Sequence, residues 1–510
     1  MSILAILLLG FALRAAPLLQ NRFHPDEALY ATFARLVASG RDPMLSTVVV
    51  DKPPLPFYLM AVSMSVFGGT EFAARLPTLF AGVVSIALLV ALGRTLYDRR
   101  TAALGALALA LSPLAILFAI TLFTDTLLAA FVLWALLMAA RGRWRLAGLA
   151  IGLAFACKQT ALFLVPLVLA VGAIQLIHHR EHGETKRNSV FSVLSVVNSF
   201  LWPALLCAAA VFLWDALRYA PISFWVQGYT DNIPGRLVRA NEIWPRLAAW
   251  ADLFHTLVGS RFAEAALLVG LLALFVPRRR SRAGLHDYTL AAFTLAFLGG
   301  YWLLAFNVWD RYLVVLAPMV ALLLGRVIAV VSGPWLVGRG QWAVVSGLSS
   351  FVTRSGHFSF SIVHSPIVSL FIVSLFIASM SVPSLVAARS GYPVGGDHGA
   401  YDGIDEIAKT LHTVPAGSVL YDHWLSWELG FYLFDGPAYL AWMPGPDALA
   451  DDLRSFGRAS PRYIVAPSWE SFTEMQTAIE AAGFTVQTIQ TAHRRDGSLS
   501  FTLYRIWPAK

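Results

Sequence analysis

The chain has 510 residues, 57% of them hydrophobic and only 13% charged, with a mean hydropathy of +0.65. Soluble domains carry about twice that charge fraction, so the composition excludes a purely soluble enzyme and points to a membrane-embedded chain. The formal net charge of +8 does not call for nucleic acid, because basic residues in a multi-span protein first set its orientation.

A crossing helix needs roughly 20 apolar residues to traverse about 30 Å of hydrocarbon. The N-terminal run MSILAILLLGFALRAAPLL lacks the basic region of a signal peptide and reads as an uncleaved first span. FHPDEALYATFARLVASG follows, an amphipathic helix lying on the membrane with Asp26 and Glu27 at its start, and then VDKPPLPFY, where Lys52 stands before two prolines. Further apolar runs are Ala73 to Leu96, Ala102 to Ile120, Thr124 to Ala140, Leu146 to Cys157, Leu162 to Ile177, Val190 to Trp214, Phe262 to Val276, Tyr288 to Phe306, Tyr312 to Val331 and Ser361 to Ser384. Together these make about eleven spans. Gly333 to Phe360 is moderately apolar, and a further crossing there would turn the C-terminus to the other side.

Alternate loops carry Arg94, Arg99 and Arg100; Arg141, Arg143 and Arg145; Arg180, Lys186 and Arg187; and Arg278, Arg279, Arg280 and Arg282, with few acids nearby. Those loops read as cytoplasmic. The opposite loops mix basic residues with acids and face outward, including the Trp- and Tyr-rich stretch from Asp215 to Arg261. From about Arg389 the composition becomes that of a soluble domain: SVLYDHW, RYIVAP, TVQTIQ and SLSFTLYRIW read as strands and SFTEMQTAIEAAGF as an amphipathic helix. The expected fold class is therefore mostly α: a polytopic membrane helical bundle with juxtamembrane helices in its first loop (residues 1–388), then a small extracytoplasmic α/β domain (389–510). Cys157 and Cys207 both lie in apolar runs and read as packing residues. No histidine spacing suggests a zinc site.

Six residues stand out chemically. Asp26 and Glu27 fit the first turn of a helix, where acids are favoured, and a carboxylate so placed also suits a base acting on an acceptor hydroxyl. Asp125, at the junction of two apolar helices, either caps the following span or works with the first loop. Lys158 interrupts an apolar stretch. Leu146 to Cys157 climbs only about 18 Å at 1.5 Å per residue, which leaves the lysine beneath the outer surface in a protein-lined cavity, although a snorkelling lysine also fits an outer turn. Lys52 is held out of helical geometry by Pro53 and Pro54 and suits a lipid phosphate or a pair with Asp51. Arg311, in FNVWDRYLVVLAP, is a second candidate phosphate ligand or an interface anchor.

The first-loop DE followed by KPPL, the TEFAARLP lead-in to the second span, the LFTD junction and the lysine at Lys158 together resemble the bacterial integral-membrane glycosyltransferases of the C superfamily. The resemblance is to the family of the lipid A aminoarabinose transferase and the protein O-mannosyltransferases, and it covers the chain to about Val331. It implies a polyprenyl-phosphate sugar donor and a lipid, glycan or protein acceptor, in an inner membrane. It further implies Asp26 as base or key acid, with Glu27 beside it and Asp125 as second acidic residue. Lys52, with Lys158 or Arg311, would hold the donor phosphate. A divalent cation, Mg²⁺ or Mn²⁺, is compatible with carboxylates beside a phosphate, as is charge neutralisation by the lysines alone. The rival reading is a transporter or flippase of a lipid-linked sugar; such proteins often show inverted repeats, and none is visible here.

Overall fold

The computed structural model describes residues 2–181, 189–232, 236–274, 281–332 and 366–509. The expectations for Gly333 to Phe360, Lys186, Arg187 and Arg278 to Arg280 lie outside them. The chain is mostly helical, with one small sheet near its C-terminus. In chain order the helices are α1 (Ile3–Ala15), α2 (Pro25–Ala38), α3 (Leu55–Phe67), α4 (Glu71–Leu96), α5 (Arg99–Leu111), α6 (Pro113–Phe118), α7 (Asp125–Ala140), α8 (Trp144–Cys157), α9 (Val165–Glu181), α10 (Ser189–Leu217), α11 (Phe224–Asn232), α12 (Ile243–Val258), α13 (Arg261–Leu274), α14 (Arg282–Leu303), α15 (Ala317–Val331) and α16 (Pro366–Ala387). After α17 (Ile404–Leu411) the elements are β1 (Val419–Asp422), α18 (Ser426–Tyr432), β2 (Tyr439–Trp442), α19 (Pro446–Phe456), β3 (Arg462–Pro467), α20 (Thr473–Ala481), β4 (Phe484–His493) and β5 (Leu499–Pro508).

The chain divides into two compact units. One takes Met1–Pro17, Met44–Leu59 and Leu76–Gly395; the other takes Leu18–Pro43, Met60–Arg75 and Gly396–Lys510. Two parts of the first loop, Leu18–Pro43 and Met60–Arg75, thus fall in the same unit as Gly396–Lys510, while its middle, Met44–Leu59, falls in the other.

Within the first unit the expected apolar runs recur as helices, several of them broken. The run from Ala102 to Ile120 is cut at Ser112 and Pro113, because proline has no N–H to continue α5 and Ser112 Oγ accepts from Ala115 N at 3.4 Å to start α6. Three-residue-per-turn segments at Gln159–Leu164 and Asp310–Leu316 lead into α9 and α15. Among the described residues five helical stretches are long and apolar enough to cross a membrane: Glu71–Leu96, Gln159–Ile177, Ser195–Leu217, Asp310–Val331 and Ile367–Ala387. A sixth is added if Ala240–Val258 and Arg261–Leu272, which meet at 102°, count as one. Helices α1, α3, α7 and α8 are apolar but shorter.

Small residues let these helices approach closely, since lipid supplies no hydrophobic drive between them. A Cβ at Gly325 of α15 would lie 2.2 Å from Gly105 N of α5, and one at Gly148 of α8 would lie 1.9 Å from Phe200 O of α10. Burial marks the centre and edge of the bundle: 83% of the window around α15 is buried, against 11% of that in α10.

The second unit is built on a five-stranded sheet of order β2-β1-β3-β5-β4, in which β1 runs parallel to β2 and β3 while β5 is antiparallel to β3 and β4. Strand β3 is buried throughout, as a central strand covered on both faces should be. Its alternate side chains serve two cores: Tyr463 and Val465 join Ile404, Leu420 and Phe501, whereas Ile464 joins Leu449, Ile479 and Ile506. The short edge strand β2 and the helices α17 to α19 were not read from the sequence.

Replacement of Gly148 by Ala should destabilise the protein by on the order of 1–3 kcal/mol, as overpacking does, whereas Gly299→Ala, with nothing within 4 Å of its added methyl, should be near neutral. Thermal unfolding in detergent checks this, and equal effects would contradict the close packing of α8 on α10.

Candidate functional site

In the first unit, α7 and α8 carry the central ion pair. The side chains of Asp125 and Lys158 are both buried, and Lys158 Nζ donates to Asp125 Oδ1 at 2.7 Å and Oδ2 at 2.9 Å. Asp125 is the first residue of α7, and Thr124 before it makes no side-chain cap bond. The carboxylate is therefore committed to Lys158, in place of the capping role that its position also allowed. Lys158 ends α8 in an extended conformation, φ −159° and ψ 135°. This turns the chain into the Gln159–Leu164 segment and keeps the ammonium inside the protein, where a snorkelling lysine would not be.

Four neighbours, Lys52, Gln159, Arg311 and Tyr312, complete this cluster. Lys52 is itself buried and ion-paired to Asp51, so the pair is not the exposed contact of little worth that adjacency alone suggests. Gln159 Nε2 donates to the Asp51 carbonyl at 2.9 Å, joining the KPPL segment to the turn after Lys158. Arg311 stacks over Phe123 at 4.9 Å and Trp309 at 4.3 Å, and both Arg311 and Lys52 are close enough to repel the Lys158 ammonium. The Tyr312 ring lies 5.1 Å from Lys158 Nζ and stands in the fields of Arg311, Asp125 and Asp51. Lys52, Asp125, Lys158 and Arg311 are thus brought together. The LFTD junction serves twice, Phe123 seating Arg311 and Asp125 holding Lys158.

Asp26 and Glu27 belong to the second unit. His24 and Glu27 form a reciprocal cap on α2: His24 Nδ1 accepts from Asp26 N at 3.2 Å, and Glu27 Oε2 accepts from His24 N at 3.1 Å. Glu27 is buried and its other oxygen lies 3.9 Å from Arg75, so its carboxylate organises the loop, while Asp26, one residue earlier, is only half-buried. Arg75, from TEFAARLP, gathers the chain before α2. It donates to the carbonyls of Leu18 at 3.2 Å, Asn21 at 2.8 Å and Arg22 at 3.1 Å, and lies 4.9 Å from the Phe23 ring.

Helix α18 is bolted to the same loop. The Phe23 and Phe431 rings are 4.9 Å apart, Tyr432 bonds Glu71, and Arg35 donates to Phe431 O at 2.8 Å. One turn before Tyr432, Glu428 is buried, bonded by the Tyr401 hydroxyl, and near Asp422 and Asp397. Tyr401 also stands in the field of Asp26. Its loop, GGDHGAYDG, has positive φ at Gly395, Gly396, Gly399 and Gly403, and Asp397 Oδ1 folds it by accepting from Ala400 N at 2.8 Å and Tyr401 N at 3.3 Å. Burial pushes the Asp397 carboxyl up to about 6 and that of Glu428 up to about 7. Sequence reasoning missed Arg75, Gln159, Tyr401 and Glu428 as site-forming residues. The four closely spaced glycines around Asp397 and Tyr401 were the available signal. Among the described residues no group of three or more His, Cys, Asp or Glu side chains is placed to hold a metal.

Asp125→Asn should cost about 3–5 kcal/mol, because it strands a buried ammonium, while the double change Asp125→Leu with Lys158→Met should recover most of that loss. Unfolding midpoints of the three proteins test it; a double variant no better than the single would contradict the mutual compensation of Asp125 and Lys158. A second expectation concerns pH. The folded chain holds protons on Asp397 and Glu428 that the unfolded chain has released, so their contribution to stability is full below about pH 4 and lost as pH rises to about 7. Glu428→Gln should flatten the upper part of that fall, and an unchanged profile would remove Glu428 as its source.

Comparisons with known proteins place this geometry among others. The profile of the family described as dolichyl-phosphate-mannose-protein mannosyltransferase matches residues 51–214. The undecaprenyl phosphate-alpha-4-amino-4-deoxy-L-arabinose arabinosyl transferase 2 of Proteus mirabilis is 27% identical over 223 residues, 40% of this chain and 39% of that one. YkcB of Bacillus subtilis, named as a mannosyltransferase, is 29% identical over 167 residues, 31% of this chain and 23% of that one. The matches thus span less than half the length of both curated relatives. The crystal structure of ArnT from Cupriavidus metallidurans bound to undecaprenyl phosphate superposes with a TM-score of 0.61 at 16% identity, covering 98% of this chain and 97% of that one. In sequence across the KPPL-to-Lys158 region, and in fold over nearly its whole length, the chain resembles the integral-membrane glycosyltransferases of the C superfamily.

Proposed function

We propose that the chain is a multi-pass membrane glycosyltransferase that moves a sugar from a polyprenyl-phosphate donor to a lipid, glycan or protein acceptor. The proposal places about eleven spans in the inner membrane, with the chemistry and the C-terminal α/β residues on the extracytoplasmic face. The observation that carries it is the gathering of buried Lys52 and Lys158, with half-buried Arg311, beside buried Asp125. A phosphate brought there meets two ammonium groups and a guanidinium in place of water, and these interactions strengthen as negative charge collects on the departing lipid phosphate. Asp51 and Asp125 keep the lysines charged and oriented before the donor arrives. Arg311, its guanidinium already held over the rings of Phe123 and Trp309, offers a planar fork suited to two phosphate oxygens.

Asp26 is the proposed base. As the acceptor oxygen forms its bond to the anomeric carbon, the bond from that carbon to the phosphate oxygen breaks, and the acceptor proton passes to the Asp26 carboxylate. A single displacement of this kind inverts the anomeric carbon. Glu27 acts one step back: bound to His24 N and facing Arg75, it fixes the start of α2 and hence where Asp26 stands. A phosphate acceptor would need no base, and Asp26 would then orient the donor sugar.

Incubating the purified protein with a panel of polyprenyl-phosphate sugars should release lipid phosphate from at least one. Asp26→Asn should lower transfer by on the order of 10² or more with donor binding retained, and near wild-type transfer would remove Asp26 from the role of base. Lys52→Ala should instead act through donor affinity; an unchanged donor dependence would contradict its contact with the phosphate.

A further inference from the structure

In the second unit, α18 and the loop before α17 meet the start of α2. The Phe431 ring of α18 lies edge-on to Phe23 at 4.9 Å, Phe23 N donates to the Tyr432 hydroxyl at 3.4 Å, and Arg35 of α2 donates to Phe431 O at 2.8 Å. Glu428 stands in the first turn of the same helix and is 1% exposed. The loop supplies Tyr401, whose ring lies 5.4 Å from Trp469 and 6.4 Å from Phe501, and whose N–H donates to Asp397 Oδ1 at 3.3 Å. With ring and backbone so held, the Tyr401 hydroxyl donates to the Glu428 carboxyl, and the Asp26 carboxylate is near enough to act on it.

Glu428 is costly as a structural element. Its Oε1 and Oδ2 of Asp397 are both buried with no hydrogen-bond partner among the described residues, which is destabilising. Burial first, then the charges of Asp422 and Asp397, push its carboxyl up to about 7, so it changes charge near neutral pH. The other charges packed around α18 have partners of their own. From α2, Glu27 accepts from His24 N and faces Arg75, and Arg35 pairs with Asp435 at 2.8 Å. From β1, Asp422 accepts from Leu425 N at 2.8 Å. From the loop and α17, Asp402 pairs with Arg495 at 3.0 Å and Asp405 with Arg22 at 3.7 Å, while Glu406, Lys409 and His412 are exposed, as is Tyr439 of β2. Tyr401 is the group that both bonds Glu428 and answers to Asp26. A titrating carboxyl kept at such cost beside a proposed active-site acid points to function.

We propose that Tyr401 is a positioning residue for Asp26, and that Glu428, acting through the Tyr401 hydroxyl, governs how readily Asp26 takes the acceptor proton. This role presupposes Asp26 as the base of the proposed transferase. With Glu428 ionised, the Tyr401 O–H points at Glu428 and keeps the positive end of its dipole away from Asp26, which favours a proton arriving there. With Glu428 protonated, its O–H can donate to the Tyr401 oxygen instead; the hydroxyl hydrogen is then free to turn, and that push on Asp26 is lost. The acceptor proton goes to Asp26 in both states, and neither Glu428 nor Tyr401 exchanges a proton with the substrate.

The test uses the full chain in detergent with carbon-13 in its aspartate carboxyls, the Asp26 resonance being assigned by its loss in Asp26→Asn, alongside the pH dependence of transfer at saturating donor. The Asp26 resonance should step as pH crosses about 7, and the step should vanish in Glu428→Gln and in Tyr401→Phe. Transfer should rise on the order of 5-fold over the same range and lose that rise in both variants, with the KM for donor unchanged. A merely structural role would lower the rate by one factor at every pH, and that result would contradict the proposal. The resonance is read without turnover, so its outcome is independent of the transferase reading: no step, or a step that both variants keep, overturns the coupling while that reading stands. Near wild-type transfer in Asp26→Asn would instead overturn Asp26 as base and the role of Tyr401 with it. If Glu428→Gln fails to fold, Tyr401→Phe alone decides, and a step retained there goes against the proposal.

Discussion

The buried ion pair between Lys158 and Asp125 is the constraint on which the rest of the first unit turns. Two charges removed from water are sustained only when each satisfies the other with good geometry, and here the ammonium reaches both carboxylate oxygens at ordinary hydrogen-bond distances. That requirement sets where α7 starts, where α8 stops, and why the chain leaves α8 in an extended conformation. A leucine and a methionine would fill the space at lower electrostatic cost. Under the proposed function, this pair keeps the ammonium ready for an anion rather than adding stability.

Around this pair, oriented cations are assembled from distant parts of the chain. Lys52 comes from a proline-stiffened segment, Lys158 from a helix end and Arg311 from the lead-in to α15, part of the most buried of the five long apolar stretches. Each is fixed by a second contact: Asp51 for Lys52, Asp125 for Lys158, and the faces of Phe123 and Trp309 for Arg311. Such preorganisation matters because the protein then need not reorient its dipoles as charge moves. In the second unit the same logic holds the first loop, where Arg75 collects three carbonyls before α2 and Glu27 closes the cap.

Much of this was legible in the sequence, for physical reasons. Lys158 and Asp125 stand out because charge inside apolar runs is costly, and Lys52 because two prolines dictate its backbone. The helical runs follow from hydropathy, and β1, β3 and β5 from their apolar, β-branched and aromatic content. Where α5 stops and α6 starts was harder, since Ser112 and Pro113 interrupt a run whose apolar character continues across them. The partnership of Arg75 with Glu27, and of Tyr401 with Glu428, was hidden because long-range pairing leaves no local pattern. The edge strand β2 was hidden too: four residues with no alternation of burial carry almost no periodic signal.

The central claim is that Lys52 and Lys158 together receive a lipid phosphate. Its most direct test is solid-state NMR on the membrane-reconstituted protein with nitrogen-labelled lysine side chains, measuring dipolar coupling between those nitrogens and the phosphorus of added polyprenyl phosphate. The account predicts coupling to two lysine nitrogens, one of which disappears in Lys52→Arg and the other in Lys158→Arg. A phosphorus signal with no lysine nitrogen in reach, while the lipid is demonstrably bound, would contradict it.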